Sequence, residues 1–248
     1  MTARLPGQSP RTLHAMATYP PPPPGGGYAS AGPAGYDPHA AQRALDAWAE
    51  ARNYRIYQNP DPVWYAGWAP FVFLFRLDRI GRELRATYAD AKVWVVEAFE
   101  DDRVKQAAGE DRHLVALVTS PRIGYRAALR SRTGAGFVDA VGRGADVPPN
   151  SAARAAGALL HDPTFEARYE VAGPTRDEAH AALPMGLRHH LLQTGFAGIL
   201  ELRAGGLVCT SFQRRGFDPA TLDALLTTVG AIHQAATHYD HPVTAPPR

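Results

Sequence analysis

Between Phe165 and Ala236 the chain carries start and stop signals that fit one order of elements: a strand, a helix, a hairpin and a long last helix. Phe165, Ala167, Tyr169 and Val171 alternate with Glu166, Arg168 and Glu170, the period of two expected of a strand with one wet face. Thr175 followed by Glu178 forms a capping-box pattern, in which the hydroxyl accepts from the Glu178 N–H and the glutamate reaches back. The helix it opens extends towards Gln193, and Pro184 is expected to kink or divide it. Residues 199–203 and 207–212 flank Ala204-Gly205-Gly206, a hairpin signal because glycine supplies the positive φ of a tight turn. Asp218-Pro219 then starts a helix, and Leu222, Leu225, Leu226, Val229, Ile232 and Ala236 give it one apolar stripe. Amphipathic helices of this kind bury their stripes together on one face of a sheet. The fold class predicted is therefore α+β, with an antiparallel or mixed sheet and helices packed on one face.

The first half is less regular. Pro20 to Pro24 followed by Gly25 to Gly27 is incompatible with helix or central strand, so residues 1–36 are read as a disordered Pro/Gly-rich tail. Asp37-Pro38 and the spacing of Ala41, Ala44, Leu45, Trp48 and Ala49 predict a helix over 38–53. Residues 71–75 are apolar at every position and read as a strand buried on both faces. Residues 83–88 and 92–99 read as a hairpin through Ala89-Asp90, and 113–119 as a further strand. Residues 131–150 are rich in glycine and small side chains, and Asn150 or Ser151 is expected to cap a helix through about Leu160. The organisation expected is a half over 37–147, a second half over 148–241 and a loose tail over 242–248.

Composition narrows function mainly by exclusion. A formal net charge of +2 gives no reason to expect nucleic acid or a membrane surface as partner. The single cysteine, Cys209, excludes an intramolecular disulfide and a thiolate-rich zinc site; it sits in an apolar run and reads as core. No signal-peptide core and no bilayer-length apolar run stands out, so a cytoplasmic location is expected. Histidine is the tempting residue type. His233, His238 and His241 crowd the chain end near Asp240, but at about 100° per residue His233 and His238 point apart on a helix. His189-His190 diverge as helical neighbours, and Glu100, Asp101 and Asp102 read as a solvated loop. No metal site, cofactor or catalytic residue is predicted.

Trp64, Tyr65 and Trp68 stand out more, in a proline-bounded loop just ahead of the apolar run at 71–75. Tryptophan and tyrosine carry much of the binding energy where proteins meet, so these three are the candidate binding residues. The function expected is a non-catalytic interaction or scaffold protein whose partner is another protein; a homo-oligomer is a further option. The alternative is an enzyme, a hydrolase for example, using His189 or His190 with a distant acid such as Glu178 or Glu201.

Residues 165–238, with a helix centred on Ala182-Leu183-Pro184-Met185 and a glycine-turn hairpin, resemble the C-terminal portion of uncharacterised bacterial proteins. The resemblance covers about a third of the chain. It implies an α+β bacterial cytosolic protein and no activity.

Overall fold

The computed structural model describes residues 39–61, 63–68, 71–74, 79–88, 91–109, 111–132, 160–213 and 216–238. The proline-rich tail, Asp37-Pro38, the expected 150–160 helix apart from Leu160, and the tail after His238 lie outside them.

Eight strands form a single antiparallel sheet: β1 (Arg55–Gln58), β2 (Arg79–Tyr88), β3 (Ala91–Phe99), β4 (Arg112–Thr119), β5 (Ala127–Ser131), β6 (Tyr169–Ala172), β7 (Gly198–Arg203) and β8 (Gly206–Ser211), in the spatial order β1-β2-β3-β4-β8-β7-β5-β6. The protein is α+β. Strands from both halves of the chain share the sheet: β4 pairs with β8, Val115 opposite Thr210, and β5 lies between β7 and β6.

Strand alternation sends one set of side chains to each face. The first face collects Leu84, Val93, Val95, Leu114, Ala116, Leu129, Leu200, Leu202, Leu207 and Cys209, all buried. Five helices cover it: α1 (Ala40–Ala51), α4 (Pro163–Arg168), α5 (Arg176–Ala182), α6 (Met185–Thr194) and α7 (Pro219–Thr237). Two further helices, α2 (Val63–Trp68) and α3 (Arg103–Ala108), are one to two turns long. Asp223 ties α1 to α7, accepting from the Trp48 indole N–H at 3.0 Å and from Arg52 at 3.1 Å.

Most of the local signals act as expected. Asp218 caps α7 with Pro219 in its first turn. Pro184 separates α5 from α6 rather than kinking one helix. Gly205, at φ +94°, makes the β7–β8 turn. The β2–β3 hairpin forms where expected, with Tyr88 opposite Ala91. The capping box is half realised: Thr175 Oγ1 accepts from the Glu178 N–H at 3.1 Å, but the Glu178 carboxylate turns away to accept from the Arg126 N–H at 3.1 Å.

Four expectations are corrected. Residues 163–168 are helical rather than part of a strand, because Asp162 accepts from the Phe165 N–H at 3.1 Å and Pro163 fills the first turn; only Tyr169–Ala172 continue as β6. Phe165 and Tyr169 then meet as an i, i+4 pair with ring centroids 4.7 Å apart. Residues 63–68, expected as a loop, form α2. Residues 71–74 are not a strand but an irregular segment lying on the second face of the sheet. The acidic stretch at 100–102 is no solvated loop: Asp102 caps α3 and Glu100 is buried.

Candidate functional site

Among the described residues, the second face of the sheet has no helix layer like the first. Val96, Ala98, Val115, Leu117, Ala128, Ile199 and Val208 line it, and a strap made of α2 and residues 71–74 packs over them. The strap begins with Val63, 73% exposed, and then presents Trp64, Tyr65 and Trp68, each half-buried. Tyr65 links the two parts, with its ring centroid 5.7 Å from Trp64 and 5.0 Å from Phe71. Phe73 and Leu74 are buried against the sheet. The three sequence-predicted binding residues are thus brought into one aromatic layer, with one side in contact with the sheet and part of each ring open to solvent.

What fixes the strap is a carboxylate. On β7, Ile199, Glu201 and Arg203 face the strap while Leu200 and Leu202 face the helices. Glu201, 1% exposed, directs Oε1 at three successive backbone N–H groups, Val72 and Phe73 at 2.9 Å and Leu74 at 3.1 Å. An ionised acceptor strengthens such bonds, and consecutive amides converging on one anion form a nest. Arg203 works from the same strand: its Nη1 donates to the Trp68 carbonyl, its guanidinium lies 5.0 Å from the Trp68 ring, and its Nη2 is 3.8 Å from Glu201 Oε2. Burial lowers the Arg203 pKa from its ordinary value, with the Glu201 charge opposing that shift. Arg130 on β5 stacks over Phe73 at 5.0 Å and is itself held by Glu170 at 2.6 Å. The indole nitrogens of Trp64 and Trp68 are buried without an acceptor among the described residues.

The histidine–acid combinations named from sequence do not form. His189 is exposed and His190 half-buried on α6, which packs on the first face, whereas Glu201 belongs to the second. Burial lowers the His190 pKa. Glu178 is occupied with the Arg126 amide. His233 is buried in α7 and Cys209 is fully buried in the first-face core. Among the described residues no group of three or more His, Cys, Asp or Glu side chains is arranged to hold a metal ion; Asp240 and His241 lie outside those residues.

One imidazole–carboxylate contact was not foreseen. His113 Nε2 lies 2.6 Å from Glu100 Oε1, and Lys105 Nζ sits 3.0 and 3.1 Å from the two Glu100 oxygens. Burial alone would raise the Glu100 pKa, but the hydrogen bonds from His113 and Lys105 outweigh it and bring the carboxyl down to about 2. The signal was present in the cross-strand positions: α3 returns Lys105 over the end of β3, and the β3–β4 register sets Ala98 opposite His113.

The arrangement defines a class by its architecture: an eight-stranded antiparallel sheet, helices on one face, and a carboxylate-latched aromatic strap on the other. No family model matches the chain, and no curated protein matches it. Among solved structures it is similar to the crystal structure of the mycobacterial trehalose monomycolate transport factor A, TtfA, at 10% identity and a TM-score of 0.45, over 78% of this chain and 94% of that one. Likeness at that level carries no argument about activity or partner. No helix among the described residues is long and apolar enough to cross a membrane.

Proposed function

We propose that this chain is a non-catalytic interaction protein of the bacterial cytoplasm that receives a protein partner on the aromatic layer at Trp64, Tyr65 and Trp68. The observation that supports it is the pairing of exposed Val63 with three half-buried aromatic side chains on one six-residue helix held in place by the sheet beneath. Rigid aromatic anchors lose little conformational entropy on binding, which is what a recognition surface requires. Lysate capture by the wild-type chain and by a Trp64→Ala/Trp68→Ala double variant, with Arg176→Ala as a surface control, tests it. Loss of a partner from the double variant alone is expected. Identical partner profiles, with both variants folded by circular dichroism, would refute the reading.

A second reading is an enzyme using His113 and Glu100 as an acid–base pair, favoured by their 2.6 Å contact in a largely buried setting. Lys105 weakens it, because an ammonium on the same carboxylate reduces the support Glu100 gives to an imidazolium. Screening the wild type and His113→Gln against ester and amide substrates decides it. Activity that His113→Gln abolishes supports the enzyme; no turnover in the wild type removes it.

A further inference from the structure

The geometry points to a second recognition surface, for an acidic peptide segment of a partner, on the pair of arginines that flank Phe99. It lies on the first-face side of β2, β3 and β4, opposite the aromatic strap, and does not depend on the reading above.

The surface is built by the strand register. Phe99 at the end of β3 stands between Arg79 on β2 and Arg112 on β4, its direct cross-strand neighbours. Both guanidinium groups sit against its ring, Arg79 Cζ 4.1 Å and Arg112 Cζ 5.6 Å from the centroid. Two residues earlier on the same face, Glu97 is buried and takes both oxygens to Arg82, at 2.7 and 3.0 Å. Arg112 reaches the same carboxylate only at 3.4 Å, with its side chain 44% exposed. Arg79 is exposed and has no carboxylate partner among the described residues. Arg82 and Arg112 therefore share one carboxylate, and Arg79 adds a charge with no carboxylate partner among the described residues.

The platform is preorganised. The 2–3 ladder breaks register between Ile80 and Glu83, a bulge of the sort that re-aims a side chain. A Cβ at Gly81 would meet the Phe99 ring at 2.9 Å and Glu97 Oε2 at 3.2 Å, so this position leaves the room that both groups fill. Arg82 is braced from beneath, its Cζ 4.4 Å from the Phe217 ring. Phe99 holds both outer guanidinium groups against its ring; Arg112 Nε also lies 3.4 Å from Glu97, while the exposed Arg79 keeps its donors for an oxyanion.

Spacing selects the ligand. Arg79 and Arg112 belong to strands two places apart, so their backbones are separated by roughly 10 Å. Both guanidinium carbons lie on one ring, 4.1 and 5.6 Å from its centroid, so carboxylates two residues apart on the same side of an extended chain, about 7 Å from each other, can reach one each. Two anions on one flexible segment, such as glutamates or aspartates in a protein partner, fit the charge and the separation.

The test is fluorescence anisotropy of the full chain with a labelled short peptide carrying glutamate at every second position. Binding is expected at low salt and should weaken as salt rises. Arg79→Gln and Arg112→Gln should each lower affinity roughly five- to tenfold, while Arg176→Gln, distant on α5, leaves it unchanged. Arg79→Lys should recover only part of the loss, because an ammonium lacks the stacked fork. No binding by the wild type, equal binding by Arg79→Gln, or full recovery with lysine would overturn the proposal. So would displacement of the peptide by inorganic phosphate at equal concentration, or tighter binding of a single-stranded RNA of equal charge.

Discussion

Glu201 lends itself to a decisive perturbation, because a single oxygen serves three main-chain donors and, among the described residues, no other hydrogen bond holds residues 72–74. In Glu201→Leu, three N–H groups lose their acceptor, those of Phe73 and Leu74 buried and that of Val72 partly so. Each unsatisfied buried donor is worth about 1–3 kcal/mol, so the two buried ones alone would cost a strap that stayed in place roughly 2–6 kcal/mol. It has another course. Lifting away returns the amides to water at the loss of the burial of Phe73 and Leu74, which at about 1.5–3 kcal/mol each comes to roughly 3–6 kcal/mol. The two ranges overlap, so the strap should open locally in a large fraction of molecules instead of forcing the domain to unfold. Glu201→Gln keeps an oxygen acceptor without the charge and should lose only about 1–2 kcal/mol, partly offset by no longer burying an anion.

Hydrogen exchange reads this directly. In the wild type the Phe73 and Leu74 amides should be protected, and in Glu201→Leu they should exchange at rates near those of open chain while β7 and β8 amides keep their protection. Tryptophan fluorescence should shift to the red as Trp64 and Trp68 gain water. If residues 72–74 remain protected in Glu201→Leu, and the denaturation midpoint is unmoved, the carboxylate is not the latch and the account of this face is wrong.

Two further outcomes follow from the geometry. Glu100 has a folded-state pKa of about 2 against an ordinary 4.5, so its contribution is fully present above 4.5 and is lost as pH falls towards 2; it amounts to at most about 3 kcal/mol, and Glu100→Gln should flatten that acid limb in chemical denaturation across the window. Gly230→Ala would stabilise an ordinary helix interior by about 1 kcal/mol, but here its Cβ would lie 2.4 Å from Tyr88 Cε1, and displacing that ring should reverse the sign to a net loss of about 1–3 kcal/mol. Adding Tyr88→Ala should make Gly230→Ala far less damaging than it is alone, measured as a double-mutant cycle; additivity would refute the contact.

What was legible in the sequence was whatever short-range chemistry decides. Asp218, Thr175, Pro184 and Gly205 act within a few residues of themselves, so each could be read from its neighbours. Asp162-Pro163 is the same signal as Asp218-Pro219 and was masked by the alternation at 165–171, a pattern that equally places Phe165 over Tyr169 one helical turn on. β5 passed unnoticed: Ala127-Ala128-Leu129-Arg130-Ser131 has little β-branched character, and the strand is specified by pairing with β6 and β7 on either side. The candidate site was half legible. Trp64, Tyr65 and Trp68 announced themselves by composition, but Glu201 reaches the strap from 127 to 129 residues away, and no local pattern marks a strand glutamate as an amide acceptor. The Glu100–Lys105–His113 contact depends on the β3–β4 register, which no residue close to Glu100 in the chain specifies.

That division between local and distant causes also divides the molecule. On the first face, capped helices bury continuous apolar stripes, and α7 alone contributes Leu222, Leu225, Leu226, Val229 and Ile232 to one core. Such packing resists opening because many side chains must leave together. Among the described residues, one short helix and the irregular segment 71–74 cover the second face, and the Val72, Phe73 and Leu74 N–H groups depend on one carboxylate from a distant strand. Cooperative units of low stability arise where few buried contacts and a small number of polar bonds hold a segment. A sheet so rigidly backed by helices can hold the strap and its aromatic side chains in register, yet release them for less free energy than global unfolding requires. Recognition that needs adjustable aromatic surface is therefore best supplied from the second face, while the β2–β4 end of the first, with Arg79 and Arg112 fixed on Phe99 by strand register, offers a charge pattern that hardly adjusts at all.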